Sequence, residues 1–169
     1  MTTEMILSIF LGIGLAASSG FRVFVPLYAI SCAAHFNIIS LDDSWQRVGS
    51  TPALIILGVA SIAESISYVI PVVDNMLDTV AVPLAGIAGT LVMASTLTDM
   101  SPAMTWALAI IAGGGAAATI KGTAATTRVA STATTGGLAN PAVSVEETGA
   151  AIGLSALSIF SPIFAMIAL

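Results

Sequence analysis

One carboxylate, Glu64, lies in an apolar run, Thr51–Val73, that carries no other charge and is long enough to cross a bilayer. Polar residues share one helical face around it, at positions i, i+3, i+4 and i+7: Ser61, Glu64, Ser65 and Tyr68. A charged group at membrane depth is costly, so this stripe must face protein or water. It predicts either an ion or proton site or a protonated acid that is hydrogen-bonded to a neighbouring helix.

A second group of oxygen-bearing side chains follows in the segment PVVDNMLDT, which contains Asp74, Asn75 and Asp78. Two carboxylates four residues apart share a face if this turn is helical, and with the amide they form a cluster of hard oxygen ligands for a cation. They can equally be solvated turn residues, with Asp78 capping the next helix. A third interpretation is ion pairing with Arg22, Lys121 or Arg128, because six alternating crossings bring all these charges to one side.

The three cations admit two explanations. The positive-inside rule places Arg22, Lys121 and Arg128 at the cytoplasmic face, with both termini outside. Alternatively, Arg22 at a Ser-Ser-Gly break and Arg128 in a hydroxyl-rich segment hold an anionic substrate, assisted by free amides at a helix N-terminus.

The hydroxyl-rich segment, residues 119–135, contains eight serines and threonines. A subset recurs every four residues: Thr119, Thr123, Thr127, Ser131 and Thr135. Gly136-Gly137 and Asn140-Pro141 then end the helix. The segment has too little apolar surface for lipid and too little charge for a soluble loop, so we expect it to be buried, helical or re-entrant, and to line a pathway.

The elements that must position these groups are membrane helices. Hydrophobic residues make up 57% of the 169 residues and charged residues 8%, and mean hydropathy is +1.04, values that exclude an ordinary soluble domain. We predict an all-α, polytopic transmembrane helical bundle in a single domain, residues 1–169. About six segments are expected: Met5–Ser19, Val23–Ile39, Thr51–Val73, Thr79–Leu97, Ala103–Ile120 and Ala142–Leu169.

Breaks in these helices suggest an internal symmetry. The stretches GLAASSGFR (14–22) and GAAATIK (115–121) each combine small residues with a cation, and each is expected to contain a broken or re-entrant helix. Paired breaks of this kind are typical of transporters built from inverted repeats, so the pattern predicts such a repeat.

Three further phrases carry a resemblance to a known family: SSGFRVFVP (18–26), PVVDNMLDT (71–79) and STATTGGLANP (131–141). They resemble, in the same order and over nearly the whole chain, the signature stretches of a bacterial membrane family, domain of unknown function 4126. The resemblance implies an integral membrane protein and brings no catalytic or binding residues with it.

Several function classes do not fit the sequence. The hydroxyls lack a base with an orienting partner, so we do not expect an enzyme, and no cofactor is expected. The single His and single Cys have no matching ligands nearby, which excludes a conventional zinc site. The net charge is −5 and basic clusters are absent, so nucleic-acid binding is not expected.

The sequence therefore predicts a small transporter or channel for an ion or small polar solute in the cell inner membrane, surrounded by lipid and assembled as a homo-oligomer. The alternative is a non-transporting membrane scaffold or assembly factor whose buried polar groups fix helix register. The predicted pathway residues are Arg22, Ser61, Glu64, Ser65, Tyr68, Asp74, Asn75, Asp78, Lys121, Thr123, Thr127, Arg128, Ser131, Thr135 and Asn140.

Overall fold

The computed structural model describes residues 2–68 and 71–169, and of residues 71–79 it describes the backbone alone. These residues form helices and turns, with no strand among them. The helices are α1 (Thr3–Phe21), α2 (Phe24–His35), α3 (Thr51–Ser67), α4 (Pro71–Thr96), α5 (Pro102–Leu108), α6 (Gly115–Thr135), α7 (Asn140–Phe160) and α8 (Pro162–Ala168). A short 3-10 helix, Asp43–Gly49, precedes α3, and a π-helical segment, Ala109–Gly114, joins α5 to α6.

Long apolar helices identify the chain as a membrane protein. Within the described residues, α1, the continuous stretch Pro102–Thr135 and α7 are long and apolar enough to cross a bilayer. The 3-10 helix and α3, bent by 65° at their junction, give a fourth span if they are counted as one. Helix α2 and the part of α4 from Val80 are apolar but shorter. The structure therefore supports three to four candidate spans, and six crossings stay a prediction.

The expected third segment, Thr51–Val73, proves to be two helices. Helix α3 ends at Ser67 with Tyr68 as its C-cap, and Pro71 begins α4, as proline does at a first helical turn. Glu64 consequently lies in the last turn of α3 and not at its middle. The N-cap of α3 is Ser50, whose hydroxyl accepts a hydrogen bond from Ala53 N.

The second expected break, at residues 115–121, is absent, because α6 runs without interruption from Gly115 to Thr135. The irregularity lies one turn earlier, where Ala109–Gly114 is π-helical. The first break is present, since α1 ends at Phe21 and α2 begins at Phe24. The paired breaks that suggested an inverted repeat are therefore not matched in position. The last expected segment, Ala142–Leu169, is also divided, at Ser161 before Pro162.

Small residues allow the central helices to approach closely. A Cβ on Gly89 of α4 would lie 2.7 Å from the carbonyl oxygen of Gly113, and one on Gly113 would lie 2.7 Å from that of Gly89. A Cβ on Gly20 of α1 would lie 2.6 Å from the carbonyl oxygen of Ala117 in α6. Gly113 and Gly114 therefore serve helix packing, as small residues do in membrane bundles, whereas a Cβ on Gly115 would meet nothing within 4 Å.

Helices α1 and α7 pack antiparallel through a ladder of small polar contacts. Ser18 Oγ donates to Ala151 O at 2.8 Å and lies 2.7 Å from Ser155 Oγ. One turn further along α1, Arg22 reaches Ser144, two turns nearer the start of α7 than Ala151. The polar contacts between α1 and α7 therefore continue from Ser18 to the charged residue Arg22.

Candidate functional site

Three cations surround one aromatic ring at the end of α3. The ring centroid of Tyr68 lies 4.1 Å from Arg22 Cζ, 4.7 Å from Lys121 Nζ and 4.9 Å from Arg128 Cζ. Lys121 Nζ also donates to the Tyr68 hydroxyl at 3.4 Å. All four side chains are at least nine-tenths buried. The π-electrons of the ring attract cations and stabilise them where water is excluded.

Helical spacing explains how two of these cations meet. Lys121 and Arg128 are seven residues apart on α6, and the buried face of that helix consists of Ala117, Lys121, Ala124 and Arg128. Arg22 comes from the break after α1, where its extended backbone (φ −140°, ψ 127°) ends the helix. Because α1 ends at this point, the Arg22 side chain lies beside α7 rather than along α1.

One carboxylate, Glu147 of α7, bridges two of the cations. Arg128 Nε donates to Glu147 Oε1 at 2.9 Å, and Arg128 Nη2 donates to Oε2 at 2.5 Å. Arg22 Nη1 donates to the same Oε2 at 2.9 Å. The bidentate geometry with Arg128 is the strong arrangement for guanidinium and carboxylate. Because Glu147 is 5% exposed, this is a buried ion-pair network.

Every N–H donor of the Arg22 guanidinium has a hydrogen-bond acceptor. Besides Glu147, its guanidinium donates to Thr148 Oγ1 at 3.0 Å, to Ser144 O at 2.8 Å, to Ser144 Oγ at 2.6 Å and to Phe21 O at 3.3 Å. These bonds account for the five N–H groups of an arginine. A fully buried arginine is thereby satisfied without water.

Glu64 caps the start of α2 from a neighbouring helix. Its Oε1 accepts a hydrogen bond from Val23 N at 2.8 Å, and its Oε2 accepts one from Phe24 N at 2.9 Å. A carboxylate at this position also interacts favourably with the helix dipole. The expected facing of Glu64 toward protein is confirmed. The expected free amides at the Arg22 break are not found, because this carboxylate occupies them.

The model of one protein family matches residues 9–169 and is described as domain of unknown function (DUF4126). The chain belongs to this family. The resemblance in the three sequence phrases is thus confirmed, and the family description assigns no activity. No curated protein matches the chain, and no solved structure matches it.

The predicted site residues divide into those that the structure brings together and those that it does not. Arg22, Glu64, Tyr68, Lys121 and Arg128 meet around Tyr68 and the start of α2. Asp74, Asn75 and Asp78 lie outside the residues whose side chains are described, and so does their predicted pairing with the cations.

The remaining predicted residues lie at the edges of this cluster or beyond it. Ser61 and Ser65 line a cavity between α2, α3 and α7. Ser131, Thr135 and Asn140 belong to the end of α6 and the start of α7, where Asn140 Nδ2 donates to Thr132 Oγ1 at 3.0 Å.

The hydroxyl-rich segment is helical as expected, but the expected burial of its hydroxyls is wrong. Thr119, Thr123, Thr127 and Thr135 are exposed in the isolated chain, and Ser131 is half-buried. The hydroxyls of Thr123, Thr127 and Thr135 donate back to carbonyls of the preceding turn, as Thr123 does to Thr119 O at 3.0 Å, which satisfies them without tertiary partners. The Ser131 hydroxyl is buried and has no hydrogen-bond partner among the described residues. The cations, spaced seven apart, occupy the buried face instead.

Glu147 is the site residue that sequence reasoning missed, because the chain around it looked weakly polar. A signal was present. Small and polar residues of α7 follow the same helical spacing that singled out the stripe on α3: Ser144, Glu147, Thr148, Ala151 and Ser155. This face packs on α1 and carries the carboxylate to Arg22.

Two cavities flank the charged cluster. The larger, of about 580 Å³, lies between α2, α3 and α7 and reaches Thr148. The smaller, of about 230 Å³, is bounded by α6 and α7 with Phe21 of α1, and Glu147, Thr123 and Thr127 line it. Consecutive residues of α7, Glu147 and Thr148, therefore face different cavities, and Arg22 hydrogen-bonds to both.

Proposed function

We propose that the protein is a small membrane transporter or channel that moves an ion or small polar solute past the cluster formed by Arg22, Lys121, Arg128, Glu147 and Tyr68. The observation that carries the proposal is the position of the Arg22–Glu147–Arg128 network between two cavities. Buried charge beside cavities in membrane helices is typical of substrate and ion pathways.

The network has the properties of a closed gate. Glu147 lines the smaller cavity, and Thr148, which accepts a hydrogen bond from Arg22, lines the larger one. Rearrangement of the Arg22–Glu147 contact would connect the two spaces. A solute that carries charge or hydrogen-bonding groups can replace the partners that the arginines lose, which keeps the charges compensated during passage.

The helix breaks support the same function. The break at Arg22 leaves the amides at the start of α2 without partners in their own helix, and Glu64 binds them, so the bundle contains a helix terminus paired with a carboxylate. Discontinuous helices of this kind form the substrate sites of many transporters. As part of this proposal, the chain crosses an inner membrane about six times and assembles as a homo-oligomer, because a single chain of this size encloses a pathway with difficulty.

The alternative function, a membrane scaffold, is favoured by one observation. Every N–H donor of Arg22 has a partner within the chain, so the network is complete without a solute. In a scaffold, such a network would fix the register of α1 against α7 and would not need to open.

Flux measurements on the purified protein in liposomes separate the two functions. The panel is sodium, potassium, chloride and protons, each followed against protein-free liposomes. We expect flux of at least one of them, and we expect Glu147→Asp, which keeps the charge but shortens the side chain, to reduce that flux by more than tenfold. Glu4→Asp is the matched control, because Glu4 is exposed at the start of α1 and lines neither of the two cavities. Absence of flux for the whole panel contradicts transport.

Cysteine accessibility tests the pathway itself. In a Cys32→Ser background, we expect cysteines at positions 123 and 127, which line the smaller cavity, to be protected from a water-soluble thiol reagent by the transported ion. A cysteine at the exposed position 126 is the control and should react equally with and without that ion. If the ion changes the rate of reaction at none of the three positions, the smaller cavity is not part of the pathway.

A further inference from the structure

The larger cavity is an elongated apolar space that the charged cluster does not fill. Along α7 it extends from Thr148 to Phe160, which is twelve residues of helix and about 18 Å. Along α2 it extends from Val25 past Cys32 to the residues after the helix, ending at Ile38. Its volume of about 580 Å³ lies within the range of small-molecule sites.

The cavity has one polar end. Ser61, Ser65 and Thr148 line it near the cluster, because the end of α3 and the start of α7 both lie there. The opposite end is lined by apolar side chains that include Ile38, Ile159 and Phe160. An occupant of matching chemistry is an amphiphile with its polar group toward the cluster.

One of the polar side chains lacks a partner. Ser61 is 8% exposed, and its Oγ has no hydrogen-bond partner among the described residues. The other serine and threonine hydroxyls of the lining are satisfied: Ser65 donates to Ser61 O at 2.8 Å, Thr148 donates to Ser144 O at 2.9 Å, and Ser155 lies 2.7 Å from Ser18 Oγ. A buried hydroxyl without a partner destabilises a protein, which a bound oxygen acceptor would relieve.

The length of the cavity indicates what kind of amphiphile fits. Each leaflet of a bilayer contributes about 15 Å of hydrocarbon, and one lipid chain extends over that distance. A cavity of about 18 Å therefore accommodates a single lipid chain together with the first polar atoms of its end group.

We propose that the cavity between α2, α3 and α7 binds one alkyl chain of a membrane amphiphile whose uncharged polar end group, an ester carbonyl or hydroxyl, hydrogen-bonds to Ser61 Oγ. The Ser61 side chain reaches this group by rotation about χ1, which has three staggered positions. The end group is uncharged because Arg22, the cation that donates to Thr148 in the cavity lining, has all its donors engaged and offers none to an anion.

The proposal is independent of transport and is tested with a monoacylglycerol that carries a photoactivatable diazirine at the far end of its chain. The protein is reconstituted in phosphatidylcholine liposomes, irradiated and mapped by mass spectrometry. We expect crosslinks near Ile38 and Phe160 rather than near Ser61, because the chain end points away from the cluster. Excess monoolein should compete, and excess oleate, which is anionic, should compete at least tenfold less well.

Variants of the lining make the test specific. Ala156→Phe places a ring in the cavity and should remove the crosslinks. Ser61→Ala should weaken competition by monoolein about 2- to 10-fold, which corresponds to one hydrogen bond. Ser67→Ala is the matched control and should leave binding unchanged, because Ser67 lies outside the cavity lining and its hydroxyl donates to Ala63 O.

Other outcomes overturn the proposal. Crosslinks spread over the outer surface and unchanged in Ala156→Phe would show contact with bulk lipid alone. Equal competition by oleate would show that the site does not select an uncharged end group. If Ala156→Phe does not fold, equal binding by the Ser61→Ala and Ser67→Ala variants would show that Ser61 does not contact the ligand.

Discussion

Helices α1, α4, α6 and α7 meet through small residues at close range, whereas α3 packs chiefly against α2 and leaves a cavity of about 580 Å³ beside α7. The charged cluster lies on the closely packed side, where Arg22 and Glu147 are held by several partners each. Ser61, whose hydroxyl has no partner among the described residues, lies on the loosely packed side. Buried charge requires fixed partners, and an adaptable apolar space requires their absence, so the two kinds of site occupy different parts of the bundle.

Two residues of α3 connect these regions. Glu64 binds the start of α2, and Tyr68 places its ring among the three cations. The polar end of α3 is thus anchored to the charged cluster, while its apolar length borders the cavity. Substitutions on each side should separate the contributions of close packing, charge and helix capping to the free energy of unfolding.

The largest effect is expected for the carboxylate that both arginines share. Glu147→Gln should lower the free energy of unfolding by about 3–5 kcal/mol, because it leaves two buried guanidinium groups without their common counter-charge. Thermal unfolding in detergent measures the loss. The neighbouring Glu146→Gln should change stability by less than about 0.5 kcal/mol, as exposed substitutions do. Equal effects of the two variants would contradict the assignment of Glu147 to the network.

Close packing gives the next largest effect. Gly113→Ala should destabilise the protein by about 1–3 kcal/mol, because its Cβ would lie 2.7 Å from the Gly89 carbonyl oxygen and from Met93 Cβ and would separate α4 from the π-helical segment Ala109–Gly114. Gly122→Ala on α6 has open space around the added methyl group and should instead stabilise by about 0.5–1 kcal/mol. Thermal unfolding of both variants provides the comparison, and a neutral Gly113→Ala would show that the helices separate without cost.

Capping of α2 is expected to contribute less. Glu64→Gln should cost about 1 kcal/mol, because the amide removes the charge at the helix N-terminus and keeps one oxygen as acceptor. Hydrogen exchange at Val23 and Phe24 should become faster. Ser67→Ala, in the same turn of α3, is the control and should leave that exchange unchanged, because the half-buried Ser67 donates to Ala63 O within its own helix. In a transporter, Glu64→Gln should also reduce flux, whereas in a scaffold it should not affect function beyond its effect on stability.

The comparison of the two regions also explains what the sequence could predict. Hydropathy identified the chain as a helical membrane protein, although the structure supports three to four candidate spans rather than the predicted six. The spacing of Ser61, Glu64, Ser65 and Tyr68 indicated that the polar face of α3 lies toward protein, because such a face follows from local periodicity. Gly136, with φ of +64°, ends α6 where the Gly-Gly pair predicted. These features depend on neighbours in sequence, which is why they could be predicted.

Features that depend on tertiary partners could not be predicted in the same way. The stripe of hydroxyls on α6 was predicted to be buried, but a threonine hydroxyl can donate to a carbonyl of the preceding turn and needs no tertiary partner. The buried face of α6 instead contains Lys121 and Arg128, because their partners lie on other helices. The pairing of Arg22 with Glu147 spans 125 residues and depends on the antiparallel packing of α1 and α7. The cavity depends on which helices do not meet, and local periodicity carries no information about that.

The smallest effect is expected at Tyr68, where one substitution distinguishes the ring from its hydroxyl. Tyr68→Phe should cost less than about 1 kcal/mol, because it keeps the π-electrons that face Arg22, Lys121 and Arg128 and removes the 3.4 Å hydrogen bond from Lys121. Tyr68→Leu, which keeps apolar volume and removes the ring, should cost more than Tyr68→Phe in thermal unfolding. If the two substitutions have equal effects, the three cations do not depend on the ring, and α3 is attached to the closely packed side by Glu64 and apolar contacts instead.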